Sequence, residues 1–315
     1  MLRKLAFLLS VVLPWTAHAM DMSIPPGPSS GMADFVSAPQ ETPRRGALFR
    51  VSHDGKTGYL FGTIHVGKQN FFPLPPEVTS ALANSSALVL ELDVRAAAPF
   101  QKALAKYGYY PAGQTIRDHL SPAALKTLDR ALARAGLSMK DIEQYRPWLV
   151  ANILVGQEIE KSGFQRSNGV EGYLLQAAAR EKKPLRELET ADYQLSLFAT
   201  LSDAQQEAYL LENIAEIYNG KALKKSAGLI EAWGTADAPR IAELAHELTT
   251  GDSVSATFMD RTLLGKRNPE MADHIGAMMD SGGTPFVGIG LLHLVGSKGV
   301  PALLKQRGYE VEQLY

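Results

Sequence analysis

Phe61-Gly62-Thr63-Ile64-His65-Val66-Gly67 and, near the other end of the chain, Gly290-Leu291-Leu292-His293-Leu294-Val295-Gly296 are two versions of one pattern. Each follows a β-prone run, places a histidine three residues after a glycine, and leads on to a helix and another strand. The first series passes from a strand over Thr57–Phe61 through a loop with Pro73, Pro75 and Pro76 and a short helix over Glu77–Ala83 to the apolar run Ala87–Leu92. The second passes from Thr284–Ile289 through a helix over Val300–Gln306 to a closing strand, Tyr309–Leu314. Ala47–Val51 adds a strand that turns back at Asp54-Gly55, a strong hairpin signal. These readings predict an α/β (α+β) fold: a central β-sheet built from two related strand–GxxH–helix–strand units, capped by a large helical insert.

The insert covers about residues 99–280. Ser121-Pro122 supplies a cap and first-turn proline for one helix, Pro147 opens another, and Ser202-Asp203-Ala204-Gln205 is a capping box for a third. Glu171–Ala179 reads as helix and Leu185–Leu188 as a lone strand.

Chemistry is expected where the strands end, because open α/β sheets bind ligands at that edge. Taken singly, His65 or His293 reads as a buried imidazole satisfied by backbone. Two in equivalent contexts can converge on one metal ion. Glu91 is the expected third ligand: it ends the apolar run Ala87–Leu90, where a carboxylate is costly to bury unless paired or metal-bound. It is also a candidate general base, with Asp93 as the alternative ligand. Two His and one carboxylate leave a position for water, whose pKa a metal lowers towards ~7 while polarising a carbonyl. The ligand set suits Zn, Mn, Co or Fe without choosing among them. Arg267 and Asn268 are candidate donors to a developing oxyanion. Asn268 followed by Pro269 equally reads as a helix cap. Glu171 and Glu189 read either as outer carboxylates of the site or as ordinary helix-surface groups.

Composition narrows the chemistry further. The 315 residues include no cysteine, which removes disulfides, thiolate metal sites and Cys nucleophiles. Lys and Arg number 32 against 33 Asp and Glu, without the basic surplus expected of a nucleic-acid partner. Residues 1–19 have the three parts of a secretory signal: Arg3 and Lys4, the apolar run Leu5–Leu13, and Ala17-His18-Ala19. The apolar run is far short of the about 20 residues a membrane span needs. The expectation is therefore a periplasmic or secreted protein with no membrane span once the leader is removed. Residues 20–45, rich in Pro, Ser and Gly, read as a flexible arm, and 46–315 as one domain. Rival motifs fail. His246-Glu247 lacks a second histidine at position 250, no GxSxG occurs, and Gly288-x-Gly290-x-x-His293 has histidine where a dinucleotide fingerprint has glycine.

At these residues the chain resembles the TraB/GumN family, which includes the Tiki metalloproteases and belongs with the erythromycin-esterase-like and ChaN-like folds. The anchors are the two GxxH segments, Leu90-Glu91-Leu92, Gly169-Val170-Glu171, Leu188-Glu189-Thr190 and Arg267-Asn268. The resemblance implies a metal-dependent catalytic set of His65, His293 and Glu91, a divalent ion such as Mn or Co, and a peptide or protein substrate. Two residues depart from the family pattern: Glu171 stands where Asp is frequent, and Leu292 where Ala is common before the histidine. The leading expectation is an exported metal-dependent hydrolase, a peptidase. The alternatives are a periplasmic binding module for a peptide, haem or a polysaccharide precursor, with Tyr107, Tyr109 and Tyr110 as an aromatic cluster, or an accessory factor in exopolysaccharide production.

Overall fold

The computed structural model describes residues 42–315; the expected leader, 1–19, and most of the expected arm, 20–45, lie outside the described residues. The end of the arm is held against the domain, with Arg45 donating to the carbonyls of Gly234 and Asn70.

Six strands form one mixed sheet: β1 (Leu48–His53), β2 (Lys56–Thr63), β3 (Ala87–Leu90), β4 (Leu185–Glu187), β5 (Pro285–Gly290) and β6 (Glu310–Gln313), in the order β4-β3-β5-β2-β1-β6. β1 and β2 are the expected hairpin, turning at Asp54 and Gly55, both with positive φ. β3 and β5 are apolar almost throughout and buried on both faces, as continuous apolar runs in a parallel sheet should be.

β5 is parallel to β2 on one side and to β3 on the other. From this central group the two crossovers leave in opposite directions. β2 passes through the helix Pro76–Ala83 to β3, whereas β5 passes through the helix Val300–Gln306 to β6 at the far edge. With the right-handed crossovers that parallel strands follow, opposite directions are expected to put the two helices on opposite faces and to leave a crevice at the strand ends between β2 and β5.

The helical insert roofs that crevice. Its helix Pro147–Lys161 is buried on nearly every side and joins two hydrophobic clusters. One lies around the sheet and includes Phe61, Phe286 and Trp233; the other lies among the helices and includes Trp148, Phe198 and Leu210. Trp233, near the end of the helix Lys221–Gly234, is fully buried and donates from its indole N–H to the Gly62 carbonyl, fixing the roof to β2. The insert also supplies β4, the edge strand beside β3.

Candidate active site

Strand register brings the two GxxH segments side by side. Thr63 lies opposite Gly290 in the β2–β5 pair, so the histidines that follow emerge at the same end of the sheet. The glycines permit the close approach. A Cβ on Gly62 would stand 2.7 Å from Leu291 Cδ1, and one on Gly290 would stand 3.2 Å from Glu91 Oε1. Glu91 follows β3 directly. Its Oε1 accepts from the Gly290 N–H at 2.7 Å and lies 3.7 Å from His293 Nε2.

The other Glu91 oxygen joins a buried ionic network. Arg267 Nη2 donates to Glu91 Oε2 at 2.5 Å and to Glu189 Oε2 at 2.7 Å, while its Nε donates to Glu189 Oε1 at 2.9 Å. Gln194 bridges the same two carboxylates, at 3.1 Å to Glu91 and 2.7 Å to Glu189. Glu189 stands here because the chain beyond β4 continues alongside β3, its N–H donating to the Glu91 carbonyl. Burial alone would push the Glu91 carboxyl up, but Arg267, the two histidines and the Gly290 N–H hold it far below the usual carboxylate range. Arg267 stays charged: the carboxylates outweigh its burial and raise its pKa further.

Each histidine has its own partner. His293 is buried, and its Nδ1 lies 2.5 Å from Asn268 Oδ1; Asn268 Nδ2 donates to the Lys298 carbonyl, which fixes the amide with its oxygen towards the ring. Burial, and then the Arg267 charge, push His293 down to about 3, leaving a neutral ring with Nδ1–H on Asn268 and an unprotonated Nε2 near Glu91. His65 is half-buried, with Nδ1 2.9 Å from Glu171 Oε1. Burial works against its charge, yet Glu171, helped by Glu91, raises it to about 9. Glu171 reaches it because Gly169 passes so close to the His65 carbonyl, with a Cβ position only 2.7 Å away, and the Val170 N–H donates to the Ile64 carbonyl.

His65, Glu91, Arg267 and His293 thus line one cavity, roofed by the helix Lys221–Gly234 and the segment Met259–Leu264. Asn268 serves as a holder of His293. It does not cap a helix: the helix Arg267–Asp280 starts before it, so Asn268 lies inside the first turn. Asp93 turns away to an ion pair with Arg95. Tyr109 stacks on Tyr145 and Tyr110 on His119, and none of Tyr107, Tyr109 and Tyr110 lines the cavity. Glu171, Glu189 and Gln194 stand closer to the chemistry than their sequence context suggested. The available signal was that the short strands Ala87–Leu90 and Leu185–Glu187 are both followed closely by a glutamate.

In kind, the donors fit a divalent ion. Two imidazoles have Nδ1 engaged, the arrangement that orients metal-binding histidines; Nε2 is unprotonated on His293, carries on His65 a proton that a bound ion would have to displace, and an ionised carboxylate lies beside them. As placed, no three His, Asp or Glu side chains among the described residues form a ready metal-binding group, and Arg267 supplies the positive charge against Glu91.

The TraB/PrgY/gumN family model matches residues 47–313. The chain is 27% identical over 248 residues to the uncharacterised protein YbaP of Escherichia coli (strain K12), a match covering 78% of this chain and 87% of YbaP. It is 26% identical over 318 residues to metalloprotease TIKI1 of Danio rerio, covering 84% of this chain and 62% of TIKI1, and 26% identical to metalloprotease TIKI2 of Xenopus tropicalis, covering 81% and 57%. No solved structure matches the chain significantly. Matched from β1 to β6 by that family model, with both GxxH turns, Glu91 and the Arg267-Asn268 pair inside the matched span, the chain belongs to the TraB/PrgY/gumN family.

Proposed function

We propose that this protein is an exported metal-dependent hydrolase acting on peptides. The observation that carries the reading is the convergence of His65, His293 and Glu91 on one cavity, with a partner behind each histidine. Its distant likeness to two metalloproteases supports peptide hydrolysis over other hydrolytic chemistry. His65, His293 and Glu91 would hold the divalent ion, of Mn, Co or Zn type. When bound, it would supply an activated water and polarise the scissile carbonyl.

The chain's own groups do the remainder. Asn268 holds the His293 ring with Nε2 unprotonated, and Glu171 orients His65. Arg267 binds Glu91 and Glu189 through Nε and Nη2 only, so Nη1 remains as a donor towards oxyanion charge. The mainly apolar lining lowers the local polarity and strengthens each of these interactions.

The test is cleavage of a mixed peptide library by the purified chain. Cleavage that needs added Mn, Co or Zn, stops with chelator and is absent in His293→Ala is expected. Cleavage unaffected by chelator contradicts the proposal, as does ligand retention with no turnover under any metal.

A further inference from the structure

The cavity above the polar floor is walled by leucines and a methionine whose burial is incomplete. Leu229, Leu248, Met259, Leu264 and Leu292 are all half-buried and all line this one space. Half-buried apolar side chains also occur elsewhere among the described residues, but these five are gathered around one concave space. Incompletely covered apolar surface gathered into one concave site marks a place for an apolar ligand group. The cation on this wall, Lys225, is already committed to Glu216 at 2.5 Å. A charged side chain lying against this wall, away from the His65 and Arg267 floor, would lose its water without gaining a partner.

The wall has a particular origin. Met259–Leu264 is a π-helical turn, closed by the Gly265 N–H donating to the Asp260 carbonyl at 2.8 Å. A Cβ on Gly265 would stand 2.7 Å from that carbonyl oxygen, so the wide turn needs the glycine. The extra residue in the turn lets Met259, Leu263 and Leu264 line the cavity together with Arg267. Leu292, also in the lining, immediately precedes His293 and so joins the apolar wall to the floor.

We propose that this wall is a specificity pocket for a large aliphatic or aromatic side chain beside the bond presented to His65 and His293, and that Leu292 limits its depth. The pocket rests on the peptide-hydrolase reading for its choice of ligand, and its test does not require turnover. Fluorescently labelled seven-residue peptides, identical except for Leu, Phe, Trp, Gly, Asp or Lys at the centre, are titrated into the metal-free chain and followed by anisotropy. The Leu and Phe peptides bind about tenfold or more tighter than Gly, Asp or Lys. Leu292→Ala moves the optimum towards Trp, and Leu264→Asp raises the affinity for the Lys peptide relative to Leu. No binding by the unaltered chain, or equal binding across its panel, overturns the pocket whether or not the variants fold; so does an unchanged rank order in both folded variants. Preference retained with no cleavage under any metal supports the pocket while contradicting the hydrolase reading.

Discussion

His65 and His293 hold matching positions in two matching sequence segments, yet the fold gives them opposite electrostatic characters. His65 is half-buried against the Glu171 carboxylate and is raised to about 9. His293 is buried against the Asn268 amide, with the Arg267 charge nearby, and is pushed down to about 3. Burial works against charge on both rings, and the insert brings different neighbours to each: the start of the helix Val170–Arg180 sets a carboxylate against His65, whereas the start of the helix Arg267–Asp280 sets a guanidinium near His293 and an amide against it. A repeated motif fixes where an imidazole stands, and the neighbouring elements decide its protonation.

The largest effect should come from removing either ring. His65→Ala and His293→Ala are each expected to lower kcat/KM by at least ~10²–10⁴-fold in the metal-loaded protein, measured on a cleaved library peptide. Full activity in one of them would show that the two turns do not form one site. Next is Arg267→Met, which leaves Glu91 and Glu189 buried without their cation. It should cost about 3–5 kcal/mol in urea unfolding, because an uncompensated buried charge remains. It also removes the charge that helps keep His293 neutral.

Asn268→Leu should cost about 1–3 kcal/mol by leaving His293 Nδ1 without its acceptor. Asn268→Asp tests the comparison more sharply: a carboxylate in that place should raise the His293 pKa towards the behaviour of His65, read by NMR titration of the ring. If His293 titrates unchanged, the amide is not what distinguishes the two rings.

The smallest effect is in the pH dependence of stability of the metal-free protein. His65 is raised above its ordinary 6.5, so its contribution is complete below 6.5 and is lost as pH climbs through about 9. Glu171 is lowered, so its share appears above 4.5 and is lost on acidification. His293 is lowered from 6.5 to about 3 and acts in the opposite sense to His65, its unfolded form taking up a proton and weakening the fold as pH falls through that interval. The stability difference between the unaltered chain and Glu171→Gln should therefore be larger at pH 6 than at pH 9.5. A difference that does not vary between those values would contradict the His65–Glu171 pairing.

Much of the sheet was legible because its signals are local. The Asp54-Gly55 turn, the apolar runs of β3 and β5, and the Ser121 and Ser202 caps depend on nearest neighbours in the chain. The opposed crossovers from β2 and β5 are a long-range matter, and no residue pattern within either unit encodes their direction. The site divides in the same way. His65, His293 and Glu91 stand out at strand ends, whereas Asn268 looks like a helix cap because Pro269 follows it. The helix instead begins at Arg267, directly after the turn at Gly265, which commits Asn268 to His293. Glu189 and Gln194 gain their importance from β4 pairing with β3, a contact across nearly a hundred residues.

The central claim is that both GxxH turns and Glu91 act on one divalent ion, and calorimetric titration of the purified metal-free chain with Mn, Co and Zn tests it most directly. One ion per chain is predicted for the unaltered protein, with binding lost or weakened at least ~100-fold in His65→Ala, His293→Ala and Glu91→Gln alike. Stoichiometric binding of undiminished affinity in all three folded variants would contradict it.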